Sequence, residues 1–186
     1  NVYFFPGQGS DYRIFGGIDL PEQFNAVYMD YPVPEKGTTM KEFAYSFISQ
    51  IDTTSPFILI GHSLGGMMCT ELTDTLNPLK TIIISSAKTR YELPGRYRFQ
   101  KKFPLNKAVP KRMIKGGALL LQPIVEPDRN THKETFKSML KAKDPQYLKR
   151  TVDMIINWER TTYDSSIIHI HGDNDHTIPY HCWLRK

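Results

Sequence analysis

The sequence predicts an α/β protein with a mostly parallel sheet and flanking helices. Three short runs are rich in β-forming residues, at positions 57–60, 81–84 and 167–171. The first is apolar without alternation, which is typical of a strand covered on both faces, as in a parallel sheet. A helical pattern over Leu64–Leu76 separates the first two runs. Strands that alternate with helices predict βαβ units with right-handed crossovers.

Two more strands and one helix are predicted nearer the N-terminus. Residues 2–5 and 24–31 are rich in β-forming residues, and Pro32 ends the second run. Thr38 and Thr39 can cap a helix that runs to about Ile51. Apolar residues recur in this helix at helical spacing and predict its buried stripe: Met40, Phe43, Phe47 and Ile51.

Residues 89–165 interrupt the alternation and predict a cap. The stretch is basic at first, is then punctuated by glycine and proline, and becomes helical over 133–143 and 145–158. A long helical insertion between two sheet strands indicates a lid folded over a site rather than an independent domain. We therefore expect residues 1–186 to form a single domain, which their number also favours.

The composition is that of an ordinary globular protein. Hydrophobic residues make up 40% and charged residues 23%, which argues against disorder. No apolar run approaches the roughly 18–20 residues that cross a bilayer, so no membrane segment is predicted. The two cysteines, Cys69 and Cys182, cannot form a disulfide framework or a four-thiolate zinc site. This cysteine usage predicts a reduced, cytoplasmic protein.

The net charge of +5 raises the possibility that the protein binds nucleic acid. Much of that charge, however, is concentrated between Lys88 and Lys115, where Glu92 is the opposing acid. No helix-turn-helix, RNP-type aromatic motif or Cys/His finger accompanies it. We interpret the stretch as a solvated face or lid that would favour anionic substrates, and we predict no nucleic-acid partner.

The most informative motif is Gly-His-Ser-Leu-Gly at residues 61–65, which matches G-x-S-x-G. It follows a predicted buried strand and opens a predicted helix, as a nucleophile elbow requires. The turn from strand to helix is so sharp that side chains two positions either side of Ser63 would clash. Gly61 and Gly65 remove those side chains. The turn therefore presents the Ser63 hydroxyl above the sheet at a helix N-terminus.

With this motif the chain resembles the α/β-hydrolase family, of the serine hydrolase or esterase type, over nearly its whole length. The resemblance implies that Ser63 attacks an ester or related acyl bond of a small-molecule substrate, forms an acyl-enzyme and needs no cofactor. In that family a loop after the first strand supplies an oxyanion donor. Phe-Pro-Gly-Gln-Gly at residues 5–9 is similar to that loop, which puts the Gln8 backbone N–H in the role. The Leu64 N–H would be the second donor.

A later turn resembles the G-x-x-D…P turn that carries the acid of the family's triad. Residues 171–179 read His-Gly-Asp-Asn-Asp-His-Thr-Ile-Pro, and the match puts the acid on Asp175, three positions after Gly172. Asp173 is the alternative, but it suits a turn former that bonds its own backbone. The acids and the histidines around them could also suggest a metal site. The family-like spacing favours the acid, so no metal is predicted.

The family's catalytic histidine follows one further strand beyond the acid, and the chain ends at Lys186 before such a strand fits. We therefore expect a truncation before the catalytic histidine. None of the six histidines has the expected placement. His181, close to Asp175 in sequence, is the candidate base.

Two other interpretations stay open. Residues 5–10 and 61–65 also resemble motifs of malonyl-CoA acyltransferases, although that family usually has an acidic residue where Gly66 stands. That resemblance gives no account of the turn over 172–179. The second interpretation is a catalytically incomplete α/β-hydrolase-like protein, which a missing histidine would produce. The sequence does not predict the oligomeric state.

Overall fold

The computed structural model describes residues 1–103 and 133–179, and at its centre is a five-stranded sheet with parallel pairings throughout. Its spatial order is β2-β1-β3-β4-β5. The strands are β1 (Val2–Phe5), β2 (Ala26–Tyr28), β3 (Ile58–His62), β4 (Lys80–Ile84) and β5 (Ile168–Ile170). The prediction of an α/β protein with a parallel sheet is confirmed.

The first two helices alternate with the strands, and the other three described helices lie one after another between β4 and β5. The helices are α1 (Met40–Tyr45), α2 (Leu64–Leu76), α3 (Gly95–Lys102), α4 (Lys133–Ala142) and α5 (Pro145–Ile156), with short 3-10 turns at Tyr12–Phe15, Ile48–Gln50 and Arg90–Glu92. No helix in residues 1–103 or 133–179 is long and apolar enough to cross a membrane.

Helix α1 begins where the sequence predicts and ends earlier. Thr39 and Glu42 form a capping box, in which the Thr39 hydroxyl accepts from the Glu42 backbone N–H and the Glu42 carboxylate accepts from the Thr39 N–H. The prediction of a helix to about Ile51 is wrong, because the chain tightens at Ser46. The Ser46 hydroxyl donates to the Phe43 carbonyl at 2.7 Å, and a 3-10 turn follows. The predicted apolar stripe is nevertheless buried along its length.

The strands at the two edges of the sheet are shorter than predicted. β2 spans three residues of the predicted 24–31 and pairs with β1. β5 spans three residues of the predicted 167–171, because the chain turns towards Gly172 and the His171 side chain contacts the Ile178 carbonyl at 2.6 Å. An edge strand receives ladder hydrogen bonds from one side, so local turns end it sooner.

Helix α2 is the most buried helix of the fold. Its residues from Leu64 to Thr73 are all buried, and it packs against β1, β3 and β4 on one face of the sheet. Its bounds are those the sequence predicts. It ends at Asn77, whose φ of 49° is left-handed and lets the chain leave the helix.

Helices α4 and α5 pack onto the same core as the sheet, through Leu140, Tyr147, Leu148, Met154 and Ile155. After α5, the Trp158 indole N–H donates to the Glu71 carboxylate at 2.7 Å, and the Arg160 guanidinium pairs with Glu71 and Asp74. These contacts join the end of the predicted cap to α2. Residues 104–132 of the predicted cap lie outside the described residues.

Candidate active site

Ser63 lies in a strained turn between β3 and α2. Its φ is 50° and its ψ is −116°, a backbone conformation that a residue with a side chain rarely adopts. The glycines around it leave room for the turn. A Cβ on Gly61 would collide with the backbone of Gly65, and a Cβ on Gly65 would collide with the Phe5 carbonyl. The steric reason for G-x-S-x-G given by the sequence is therefore present in the structure.

Hydrogen bonds to the backbone hold Ser63 in this turn. Its N–H donates to the Ile84 carbonyl at 3.0 Å, and its own carbonyl accepts from the Ser86 hydroxyl at 2.6 Å. Ser86 can approach because the next residue of the elbow is Gly66, where a Cβ would collide with the Ser86 side chain. The Ser63 side chain is half-buried, and no group in residues 1–103 or 133–179 hydrogen-bonds its hydroxyl.

The elbow stands at the point where the strand order reverses. β2 lies on one side of β1 and β3 lies on the other, so the loops after β1 and β3 diverge from neighbouring strand ends. In open α/β sheets ligands bind in the crevice outside such a switch point. The two loops touch, since a Cβ on Gly65 would also meet the Pro6 carbonyl. The structure therefore brings the loop that carries Gln8 against the N-terminus of α2.

The loop after β1 is held through its carbonyl groups. The Tyr31 hydroxyl donates to the Pro6 carbonyl at 2.9 Å, and the Gly7 carbonyl accepts from the Ser10 N–H at 3.2 Å and from the Ser10 hydroxyl at 3.3 Å. The Gln8 backbone N–H of this loop has no backbone partner among the described residues and is available to a ligand.

The Gln8 amide donates to α5 in two places. Its Nε2 lies 2.8 Å from the Leu148 carbonyl and 2.8 Å from the Thr151 hydroxyl. Thr151 in turn donates its hydroxyl proton to the Tyr147 carbonyl at 2.8 Å. The Gln8 and Leu64 backbone N–H groups, which the sequence puts forward as oxyanion donors, have no backbone partner within the described ranges. The Leu64 group is one of the unpaired N–H groups of a helix's first turn.

Asp175 lies in the turn after β5, on the same edge of the sheet as the elbow. Its Oδ1 accepts from the backbone N–H groups of Thr177 at 2.8 Å and Ile178 at 2.9 Å. Its Oδ2 lies 3.3 Å from the His171 Nε2, and its side chain is 12% exposed. Asp173, the alternative acid, is exposed.

The histidine before Ser63 packs against the loop after β1. The Nδ1 of His62 is buried against Gly7, where a Cβ would lie 2.7 Å from it, and it has no hydrogen-bond partner in the described part of the chain. Burial lowers the pKa of His62 to about 4, against the opposing effect of the Asp175 charge. His62 is therefore neutral at neutral pH and packs under the loop that carries Gln8.

Two other histidines contact each other next to Asp175. The His171 Nδ1 lies 3.0 Å from the His169 Nε2, as expected from their alternation on one strand. Residues 1–103 and 133–179 hold no group of three His, Cys, Asp or Glu side chains that could bind a metal ion. His181, the candidate base, lies outside the described residues.

Comparisons with known proteins bear on the fold. No family model matches the sequence, and no curated protein matches it. Solved structures do match. A thermophilic esterase from Thermogutta terrifontis superimposes with a TM-score of 0.77 at 15% identity, over 98% of this chain and 75% of its own. A hydrolase from Pseudomonas aeruginosa PA01 matches with a TM-score of 0.71 at 16% identity, over 98% and 76%.

The chain has the α/β-hydrolase fold. An enol-lactonase from Burkholderia xenovorans LB400 shares it, with a TM-score of 0.58 at 11% identity over 95% of this chain and 84% of its own. At these identities the likeness concerns the fold, and the resemblance drawn from the elbow and acid motifs is confirmed at that level. The α/β-hydrolase fold also accounts for Ser63, Gln8 and Asp175 lying along one edge of the sheet, since each follows a parallel strand.

Sequence reasoning missed the groups that hold the site together. Tyr31 and Ser86 contact backbone atoms of residues far away in sequence, so no local pattern reveals them. One signal was available for Ser86. A second glycine directly after the G-x-S-x-G motif, Gly66, indicates that another part of the α/β-hydrolase fold approaches the elbow closely.

Proposed function

We propose that this protein is a serine hydrolase that cleaves an ester or related acyl bond through Ser63. The observation that carries the proposal is the strained turn of Ser63 at the sheet's switch point, beside the loop whose Gln8 N–H has no backbone partner in the described part of the chain. Solved structures with this fold include an esterase, a hydrolase and an enol-lactonase, which supports an acyl substrate.

The reaction would follow from the roles of these groups. The Ser63 oxygen attacks the acyl carbon, and the hydroxyl proton passes to a base. The carbonyl oxygen becomes an oxyanion, which accepts from the Gln8 and Leu64 N–H groups. Collapse of this intermediate expels the leaving group and forms the acyl-enzyme, which water then hydrolyses.

The acid of this mechanism is Asp175. Its Oδ1 is held by two backbone N–H groups, so the carboxylate keeps one orientation. A carboxylate held in this way can orient an imidazole and stabilise its cation. In this chain His181 is the candidate for that imidazole.

A hydrolase explains the site better than a malonyl-CoA-type acyltransferase. The acyltransferase interpretation expects an acidic side chain where Gly66 stands. Here a Cβ at Gly66 would collide with the Ser86 side chain, and Ser86 hydrogen-bonds the Ser63 carbonyl. The hydrolase interpretation also gives Asp175 a role.

Labelling with a fluorophosphonate probe tests this proposal. We expect the purified chain to gain the mass of one phosphonyl group in intact-mass spectrometry, and Ser63→Ala to gain none. Circular dichroism of both proteins establishes that they are folded. A folded chain that does not react would overturn the proposal and leave a catalytically incomplete α/β-hydrolase-like protein.

A further inference from the structure

Helix α3, in the first part of the predicted cap, presents two phenylalanines to solvent. Phe99 is 55% exposed, and Phe103, which directly follows the helix, is 50% exposed. The two residues are four positions apart, so they lie on one face, and their ring centroids are 5.1 Å apart. Single exposed apolar residues are ordinary, whereas a contacting pair of large ones forms a patch that indicates an interaction surface.

The other side of α3 packs against the protein. Tyr97 is half-buried and contacts the main hydrophobic core. Lys101, four positions later, is half-buried as well, and its ammonium group lies 2.7 Å from the Glu159 carboxylate. A surface helix ordinarily turns its apolar side inwards and its charged side to water. Helix α3 holds a paired lysine on its packed side and leaves both phenylalanines outside.

Two cations flank the exposed rings. Arg96 lies three positions before Phe99 and Lys102 lies three positions after it, so helical spacing places both beside that ring. Both side chains are exposed. We call Arg96, Phe99, Lys102 and Phe103 the aromatic–cationic face.

The segment around the aromatic–cationic face is strongly basic. Residues 88–103 contain six lysines and arginines and one acid, Glu92. Glu92 is buried, and its carboxylate accepts from the Lys88 backbone N–H at 2.7 Å. Glu159 is matched by Lys101 on the packed side of the helix. A complementary partner must therefore offer negative charge next to an apolar surface.

We propose that the aromatic–cationic face docks on an anionic phospholipid surface. The phenylalanine rings would enter the boundary between headgroups and acyl chains, while Arg96 and Lys102 remain at the phosphates. A protein partner suits this face less well. Two phenylalanines bury about 300–500 Å² together, whereas a stable protein interface needs about 800 Å² from each partner and a complementary shape. A bilayer adapts its shape to two rings on one helical turn.

The aromatic–cationic face is joined to the turn of Asp175. The Arg96 guanidinium donates to the Thr177 carbonyl, and the Thr177 N–H donates to the Asp175 Oδ1 at 2.8 Å. A guanidinium has five N–H donors, so this bond leaves others for a phosphate. Docking would bring the Asp175 turn close to the lipid surface. The docking itself does not depend on the reaction of Ser63.

Co-sedimentation of the full chain with vesicles tests the proposal. We expect binding to phosphatidylcholine vesicles that contain phosphatidylserine and little binding to pure phosphatidylcholine. Binding should be strong at about 0.1 M salt and mostly lost at about 1 M, where the Debye length falls from about 10 Å to about 3 Å. A folded chain that does not bind the anionic vesicles would overturn the proposal.

The contribution of the rings distinguishes docking from attraction by net charge alone. Phe99→Ser combined with Phe103→Ser should lower the vesicle partition constant at least about tenfold, because two apolar side chains no longer leave water. Leu79→Ser is the control, since Leu79 is 64% exposed and lies between α2 and β4. Equal binding by wild type and the folded double variant would show that charge alone holds the protein, which contradicts the proposal.

A matched pair of lysine variants tests the cations. Lys102→Gln should weaken binding about fivefold, the effect of one cation near an anionic surface. Lys36→Gln makes the same change at an exposed lysine outside the aromatic–cationic face and should change binding less than twofold. Equal effects of the two variants would contradict a specific docking face. If the double phenylalanine variant does not fold, this pair decides.

The remaining outcomes separate the lipid surface from other partners and from the proposed function. A chain that binds polyglutamate but not anionic vesicles would have a surface for acidic protein segments, and the lipid proposal would be wrong. A chain that docks on vesicles but does not react with the fluorophosphonate keeps the docking face and loses the proposed hydrolase. A chain that reacts with the probe without binding vesicles gives the opposite result.

Discussion

At the scale of single residues, the candidate site depends on a few glycines without side chains. A non-glycine residue at positive φ costs of the order of 1–3 kcal/mol and persists only where its surroundings hold it. Ser63 is held because Gly61 and Gly65 let the turn close and Gly66 admits Ser86. The same close packing brings the first turn of α2 against the loop of Gln8. One added methyl group should therefore disturb both the fold and the site.

Gly65→Ala tests this dependence. Its Cβ would collide with the Phe5 backbone, and overpacking of this kind costs about 1–3 kcal/mol. We expect the free energy of unfolding in urea to fall by that amount and Ser63 labelling to become slower. Gly17→Ala is the matched control, since a Cβ there meets nothing within 4 Å, and we expect a change below about 0.5 kcal/mol. Equal stability of the two variants would contradict the prediction.

At the scale of elements, sequence periodicity predicted what depends on local chemistry. The sequence predicted the first and last residues of α2 correctly, because the elbow marks the beginning of this helix and the left-handed Asn77 marks its end. It overestimated α1, because the Ser46 hydroxyl bonds a carbonyl of its own turn and apolar spacing does not report such competition. It overestimated β2 and β5, because both are edge strands.

The candidate site also has local parts that the sequence predicts and distant contacts that it does not predict. The elbow, the Gln8 loop and the Asp175 turn each lie within a few consecutive residues, so their motifs are visible in the sequence. Other contacts of the site join residues that are between 23 and 143 positions apart in the sequence, namely those made by Tyr31, Thr151 and Ser86. Only the folded chain brings these residues together. The contact between His169 and His171 is intermediate, since their alternation on one strand is visible in the sequence but the contact of His171 with the Ile178 carbonyl needs the folded turn.

Helix α5 fixes the loop after β1 through the Gln8 side chain, and Thr151→Val tests that link. The variant keeps the shape of Thr151 but removes the hydroxyl that accepts from the Gln8 amide and donates to the Tyr147 carbonyl. We expect Ser63 labelling to slow by about tenfold, less than the roughly 10²–10³ of a lost donor. Stability should fall by about 1 kcal/mol. Thr151→Ser retains the hydroxyl and should restore the rate; a folded Thr151→Val that reacts as fast as wild type would contradict the link.

At the scale of the whole molecule, the parallel order of the sheet assembles the site from distant segments. The strands β1, β3 and β5 end at one edge and deliver the Gln8 loop, the elbow and the Asp175 turn. Half-buried histidines lie in two of these strands, His62 at the end of β3 and His169 in β5. Because both strands belong to the central sheet, a change in the charge of these histidines would act on the stability of the entire domain.

Acid should therefore destabilise the fold well above the range in which carboxylates titrate. Burial lowers the pKa of His62 and His169 to about 4 each, whereas an unfolded histidine has a pKa of about 6.5. Between these values the unfolded chain binds protons that the native chain does not. The free energy of unfolding must then fall as the pH falls, by up to about 3 kcal/mol for each histidine.

Urea unfolding at about pH 7, 6 and 5 measures this loss, which is large against a typical stability of about 5–15 kcal/mol. His62→Gln places a neutral amide beneath the Gln8 loop. Because an amide takes up no proton in this range, the variant should lose less stability than wild type between pH 7 and 5, whatever its stability at pH 7. His176→Gln, which removes an exposed ring, should follow the wild-type curve. A wild-type free energy that stays constant from pH 7 to 5 would mean that these imidazoles are protonated in the native state, and that the segments meeting at the sheet edge accept buried positive charge.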